Sequence, residues 1–192
     1  MNWRRWVSWS VRGLGGVEKR RSVKDVIRRC NPEVIILQET KLDNSRLKEI
    51  QSFSKSLNCK FDFIPATGST GGLLTLWKGN ILTVEHVIKE ERFLGLIMRL
   101  GNEILLLGNA YGPNLDAEKE NFFSTLSNKL RNFNCCLLVG GDFNSILSIG
   151  ERSSLSGDVD AVFNNFVAMN NLIDLPLQDS NFTCYSSRNG GV

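Results

Sequence analysis

An α/β fold with mixed sheets flanked by helices is what this chain of 192 residues predicts. Three observations carry that reading. Short apolar runs without alternation, Glu33 to Gln38 (EVIILQ) among them, suit strands covered on both faces. Amphipathic stretches with helical spacing separate several of these runs, which is the pattern of βαβ units. Three successive strand-like runs then follow with short turns only, which is the pattern of an antiparallel meander.

In chain order, Trp3 to Val11 reads as a strand, ended by the turn-forming Gly13-Leu-Gly-Gly16. Residues 18–30 read as a helix with Val23, Val26, Ile27 and Cys30 inward, stopped by Asn31-Pro32. After the EVIILQ strand, residues 45–57 form a helix and Phe61 to Ile64 a short strand. Thr67-Gly-Ser-Thr-Gly-Gly72 is a loop leading into a strand at Leu73 to Lys78. Runs 81–89, 92–100 and 103–108 are strands, with Gly79-Asn80 and Gly101-Asn102 as two-residue hairpin signals. Residues 116–131 form a helix that turns Phe122, Phe123, Leu126 and Leu130 inward. The run Cys135 to Gly141 is a buried strand, and residues 160–170 a helix carrying Phe163, Phe166 and Val167.

The totals bound the function classes. At 42% apolar and 22% charged residues the chain has the composition of one soluble domain spanning 1–192. No window approaches ~18 consecutive apolar residues, so no membrane span is expected. The opening MNWRRWVSW has charges without a following apolar run, so it is not a secretory signal, and an intracellular, non-secreted protein is expected. Five scattered cysteines (Cys30, Cys59, Cys135, Cys136, Cys184) lack CxxC spacing and read as reduced thiols, with neither a disulfide nor a zinc framework. The Asn181-Phe-Thr183 sequon is set aside for want of that signal. Net charge is +3, but residues 1–29 hold nine Lys or Arg against two acids. That basic end either attracts a polyanion or lines the wet face of one helix.

The chemistry gathers at strand ends. In Cys135 to Ser145 (CCLLVGGDFNS) a strand delivers Asp142 and Asn144 on one face with Phe143 turned away. Gly140 and Gly141 let the backbone approach something bulky. Ser10, Glu39, Asn109 and Tyr111 likewise follow apolar strands at once, and ligands of α/β proteins gather at such ends. Singly each has a structural explanation: Glu39 could cap the next segment or pair with Lys41, and Tyr111 could be half-buried packing. A carboxylate and an amide at one strand end suit a phosphate or a metal.

Five motifs in order carry a resemblance: Trp9-Ser-Val-Arg-Gly-Leu-Gly15, Leu37-Gln-Glu-Thr-Lys41, Gly71-Gly-Leu-Leu-Thr-Leu-Trp77, Asn109-Ala-Tyr-Gly-Pro-Asn114 and Gly140-Gly-Asp-Phe-Asn144. The chain resembles the endonuclease/exonuclease/phosphatase superfamily, and within it the apurinic-type endonuclease domain of plant non-long-terminal-repeat (LINE-type) retrotransposons. Glu151-Arg152, the helix around Phe163, Leu172 to Leu177 and Phe182-Thr183 fit as well. The resemblance implies a four-layer DNase I-like sandwich: two mixed β-sheets packed face to face with helices on the outside. It implies a phosphodiester or phosphomonoester hydrolase using Mg²⁺ (or Mn²⁺), with DNA as partner and a monomer at work, a nuclear location included. By the same resemblance Glu39 holds the metal, Asp142 orients or deprotonates the attacking water, Asn144 bonds a phosphate oxygen and Tyr111 supports the phosphate. Arg12, Lys41 and Asn109 would contact nucleic acid.

Two departures set the expected activity. Trp9-Ser10 stands where the family reads Trp-Asn, and losing one preorganised donor costs on the order of 10²–10³ in rate. The family's Ser-Asp-His triplet is missing before Val192, and an absent acid/base costs on the order of 10²–10⁴. The sole histidine, His86, lies among alternating strand residues and reads as structural. Cys184 replaces a tryptophan that relatives carry after Phe-Thr. The expectation is an incomplete domain, its last strands missing and its stability marginal. Its function is a Mg²⁺-dependent endonuclease of retrotransposon origin with impaired activity. The other readings are an inactive remnant that binds nucleic acid, and a phosphatase acting on a small phosphorylated substrate.

Overall fold

Eight strands form two four-stranded sheets in the computed structural model, which describes residues 5–68, 70–151 and 160–175. The first sheet has β1 (Trp6–Ser10), β2 (Val34–Gln38), β3 (Lys60–Ile64) and β4 (Leu73–Trp77) in the order β1-β2-β4-β3. The second has β5 (Thr83–Glu90), β6 (Phe93–Leu100), β7 (Glu103–Tyr111) and β8 (Cys136–Asp142) in sequence order. Helices α1 (Val17–Cys30) and α2 (Leu47–Ser56) belong to the first half, α3 (Asp116–Leu130) and α4 (Ala161–Met169) to the second.

Three apolar layers hold this together. Val23 and Ile27 of α1 and Ile50 and Phe53 of α2 pack on Ile35, Leu37, Leu74 and Leu76 of the first sheet. Val34, Ile36 and Trp77 meet Leu96, Met98, Leu105 and Leu107 between the sheets. Phe123, Leu126 and Leu130 of α3 and Phe163 and Phe166 of α4 cover the outer face of the second sheet. Each such side chain contributes roughly 1.5–3 kcal/mol by leaving water. The result is the expected helix–sheet–sheet–helix sandwich.

Two parallel pairs set the position of the site. β1 runs parallel to β2 with Ser10 opposite Gln38, and β7 parallel to β8 with Tyr111 opposite Asp142. The C-terminal ends of all four strands therefore reach one end of the sandwich. β4 is antiparallel to β2, so its leading loop, Gly71-Gly72, arrives at the same end.

Several expectations need correction. Gly79-Asn80 is not a hairpin: β4 and β5 lie in different sheets, and this turn carries the chain between them. The hairpin between β5 and β6 turns instead at Glu91-Arg92, with Glu90 opposite Phe93 and no glycine to mark it. Gly101 does turn a hairpin, at φ 62° between Leu100 and Glu103. β8 is exposed at Cys136 and half-buried from Leu137 to Asp142 rather than buried, with β7 its one partner among the described residues. Cys30 is exposed, and Phe122 is only half-buried. Residues 45–57 begin as a 3-10 turn (Asn44–Arg46) capped by the Asp43 carboxylate. Trp3, Arg152, Leu177, Phe182, Thr183, Cys184 and the chain's last residues lie outside the described residues. Among the described residues no helix is long and apolar enough to cross a membrane.

Candidate active site

The segments that follow β1 and β2 run on side by side past the sheet. Val11 N–H donates to the Gln38 carbonyl at 3.0 Å, Gly13 to Glu39 at 2.7 Å and Leu14 to Thr40 at 2.8 Å. Thr40 and Lys41 in turn donate to Gly72 and Gly71, both at 3.0 Å. The first three sequence motifs thus form one backbone lattice. Arg20 and Arg46 fasten its edge: both reach the Gly15 carbonyl and both pair with Glu49. Within this lattice Arg12, Glu39 and Lys41 have φ of 51°, 51° and 54°. Left-handed backbone at non-glycine residues costs of order 1–3 kcal/mol each and gathers at functional sites.

That conformation aims Glu39 across to the other sheet. The Tyr111 hydroxyl donates to Glu39 Oε1 at 2.6 Å, so the end of β7 is tied to the end of β2. Burial pushes the Tyr111 phenol up to about 12, the Glu39 bond and charge add to the rise, and the nearby Asp142 charge adds a little more. An Asn114 side-chain hydrogen bond works against it. Tyr111 is therefore a fixed neutral donor at any ordinary pH.

Asp142 ends β8 opposite Tyr111, and its Oδ1 accepts the Asn144 backbone N–H at 3.2 Å. Asn144 does not lie on the strand: it sits beyond it at φ 50°, placed by a turn rather than by strand alternation. Its amide donates to the Gly112 carbonyl at 2.8 Å, which leaves its second amide hydrogen for a ligand. Phe143 turns away, as expected, into the aromatic cluster of Phe123 and Phe163. The glycines admit the protein's own atoms: a Cβ on Gly140 would meet Ile36 at 2.8 Å, and one on Gly141 the Ala110 carbonyl at 2.0 Å.

Beneath the site lies a buried amide network. Gln38 Nε2 donates to Asn109 Oδ1 at 2.7 Å, and Asn109 Nδ2 donates to Thr75 Oγ1 at 3.2 Å and to the Leu37 carbonyl at 3.3 Å. Asn109 is 0% exposed, so it joins the two sheets and is out of reach of nucleic acid. Ser10, opposite Gln38, has a buried hydroxyl with no hydrogen-bond partner among the described residues. Arg12 and Lys41 are exposed at the rim, and His86 is exposed on β5, away from these strand ends.

Two residues escaped the sequence reading. Asn114 closes the Asn109-Ala-Tyr-Gly-Pro-Asn114 motif, and its side chain hydrogen-bonds Tyr111. Arg92 read as an ordinary charge in a strand run. Its guanidinium lies over the Tyr111 ring at 5.9 Å, and its carbonyl accepts the Tyr111 N–H at 3.0 Å.

The donor set suits a hard divalent cation. Glu39 offers carboxylate oxygen on a rigid backbone, with lone pairs beyond the one that Tyr111 occupies. Among the described residues no three His, Cys, Asp or Glu gather into a metal cage. One or two carboxylates completed by water and phosphate oxygens is the manner of Mg²⁺.

The model of the family described as "Endonuclease/Exonuclease/phosphatase family" matches residues 7–168. A search of curated proteins finds no match. Among solved structures the chain is similar to an AP endonuclease from Archaeoglobus fulgidus, at 14% identity over 87% of this chain and 71% of that one, with a TM-score of 0.71. It is similar to AP endonuclease LMAP from Leishmania major, at 16% identity over 88% and 67%, TM-score 0.70. It also resembles a variant of the Neisseria 3′ phosphatase NExo bound to product DNA hairpin, at 14% identity over 85% and 70%, TM-score 0.69. At such identities these likenesses speak to the fold.

Proposed function

The chain belongs to the endonuclease/exonuclease/phosphatase family, and we propose that within it this chain is a Mg²⁺-dependent phosphodiester hydrolase, an endonuclease domain of retrotransposon origin that acts on DNA with reduced turnover. The observation that carries this reading is the Tyr111–Glu39 bond at 2.6 Å, with Asp142 delivered opposite Tyr111 by the neighbouring strand. It brings the Glu39 carboxylate from one sheet beside the strand end of the other that carries Asp142, which supports a metal site and a proton acceptor there.

Glu39 would hold the divalent cation, which when bound would supply Lewis-acid polarisation of a phosphoryl oxygen. Asp142 takes the proton of the attacking water, its carboxylate steadied by the Asn144 N–H. The second amide hydrogen of Asn144, with Asn114 nearby, donates to phosphate oxygens as charge develops there, while Tyr111, its one O–H given to Glu39, holds that carboxylate in place. Arg12 and Lys41 hold the backbone on either side without reading sequence. Work on DNA implies a nuclear location. A second reading, a fold that binds DNA but does not cut it, is favoured by the unpartnered Ser10 hydroxyl, a polar position under the site that makes no bond among the described residues.

Nicking of supercoiled plasmid in Mg²⁺ and in EDTA, by wild type, Glu39→Gln and Asp142→Asn, tests the proposal. Wild type nicks only with Mg²⁺, and each variant loses on the order of 10²-fold or more. Equal nicking by all three refutes the site. Inert proteins that still shift DNA in a gel establish the second reading. Hydrolysis of a small phosphomonoester without nicking establishes a phosphatase.

A further inference from the structure

A groove of about 390 Å³ lies between the Glu91-Arg92 turn and α3, and the activity proposed above does not use it. Its apolar lining is Phe93, Pro113, Phe122 and Leu126, and Asn121 and Thr125 line it with an amide and a hydroxyl. Phe122, expected in the core, lines this groove instead. Edge-on packing against Phe123, at 5.0 Å and 66°, fixes its ring.

The groove is continuous with the site. Arg92 and Glu118 line it and also line the adjoining cleft of about 210 Å³ that contains Tyr111 and Asn114. Arg92 is pinned at this junction by the Tyr111 ring and by Glu118 Oε2 at 3.4 Å.

Shape and charge together restrict the occupant. Volume at the small end of ligand pockets, with aromatic walls and a few polar groups, suits a planar heterocycle. Carboxylates of Glu90, Glu91 and Glu118 edge the groove, and two of them are neutralised by Lys129 and Arg92. That rim repels a phosphate but accepts hydrogen bonds from exocyclic amino groups. We propose that the groove holds an unpaired nucleobase of the substrate strand, stacked against Phe122, from a nucleotide next to the phosphate at Tyr111 and Asn114. Arg92 then contacts the backbone between them. A duplex keeps its bases paired, so the groove favours strands with an unpaired nucleotide beside the cut. The inference rests on the nucleic-acid reading of the site.

Fluorescence anisotropy in EDTA tests it, with a labelled single-stranded 12-mer and the same strand carrying one abasic residue at successive positions. One abasic position weakens binding by roughly 5- to 150-fold, the range for one base on one aromatic ring. Phe122→Ala binds the intact strand with the same loss and no longer senses the abasic position. Thr125→Trp, which fills the groove from an exposed helix position, does likewise without touching the core. Tight binding that no abasic position weakens, or position dependence that survives in Thr125→Trp, overturns the base groove and leaves the nuclease reading standing. Absence of binding to every strand likewise overturns the base groove, while the nuclease reading is overturned only by the plasmid assay.

Discussion

Replacing Asp160 should unseat α4 and loosen the turn that carries Asn144. Asp160 Oδ1 accepts the N–H groups of Val162 and Phe163, both at 3.1 Å, and caps α4. Its Oδ2 accepts Ser145 Oγ at 2.7 Å, one residue after Asn144, and Lys119 Nζ of α3 at 2.9 Å. Lys119 is 8% exposed, and its other partner, Asp116 at 2.8 Å, is almost fully in water. Asp160→Ala removes a cap worth about 1 kcal/mol. It also deletes charge-assisted bonds and strips a mostly buried ammonium of its inner partner, worth another ~2–4 kcal/mol with Asp116 still in place. The total is about 3–5 kcal/mol. Asp160→Asn keeps the capping oxygen but loses the charge, so it should cost about 1 kcal/mol less. Urea unfolding followed by tryptophan fluorescence measures both, and with m near ~2 kcal/mol/M the alanine midpoint falls by about 2 M.

The pH dependence gives an independent check. Burial works to raise the Asp160 carboxyl, but the bonds from Ser145, Lys119 and the Phe163 N–H outweigh it and leave it lowered. A carboxyl lowered on folding stabilises above its unfolded value near ~3.9 and loses that contribution as pH falls through the folded value. The gap between wild type and Asp160→Ala should therefore narrow at pH 3. A cost below about 1 kcal/mol at pH 7, or a gap undiminished in acid, refutes the clamp.

Gly108→Ala should destabilise by overpacking. Its Cβ would stand 2.5 Å from Phe93 Cε2, whose ring also lies over Gly95 on the paired strand. A cost of ~1–3 kcal/mol lowers Tm by roughly 3–9 °C, and Phe93→Leu in the same chain should recover part of it. Tyr111→Phe should keep the fold and cut the nicking rate roughly 10- to 100-fold, the cost of losing the hydroxyl that orients the Glu39 carboxylate. In EDTA, with the phenol at about 12, the absorbance difference between wild type and Tyr111→Phe should show no phenolate rising from pH 6 to 10. A phenolate rise near pH 10 in that difference would show that Tyr111 titrates normally.

Sequence alone determined the run of strands and helices and the identity of the groups at the strand ends, while the four-layer order came from the family resemblance. Apolar runs without alternation and helical spacing report burial, and burial is a local property of composition and period. Thus β2, α1 and α3 were legible nearly to the residue, and Glu39, Tyr111 and Asp142 were singled out. Tertiary structure decided everything that depends on partners distant in the chain. Gly79-Asn80 has the residues of a hairpin, yet the chain uses it to change sheets, because strand pairing is fixed by non-local packing. The left-handed backbone that aims Glu39 at Tyr111 leaves no mark in a Gln-Glu-Thr sequence, since the hydrogen-bonded lattice from Val11 to Gly72 imposes it. Asn109 looked like a surface contact from its motif, but β7 faces β2 and β4 across the sandwich, and so its amide became the bolt between the sheets.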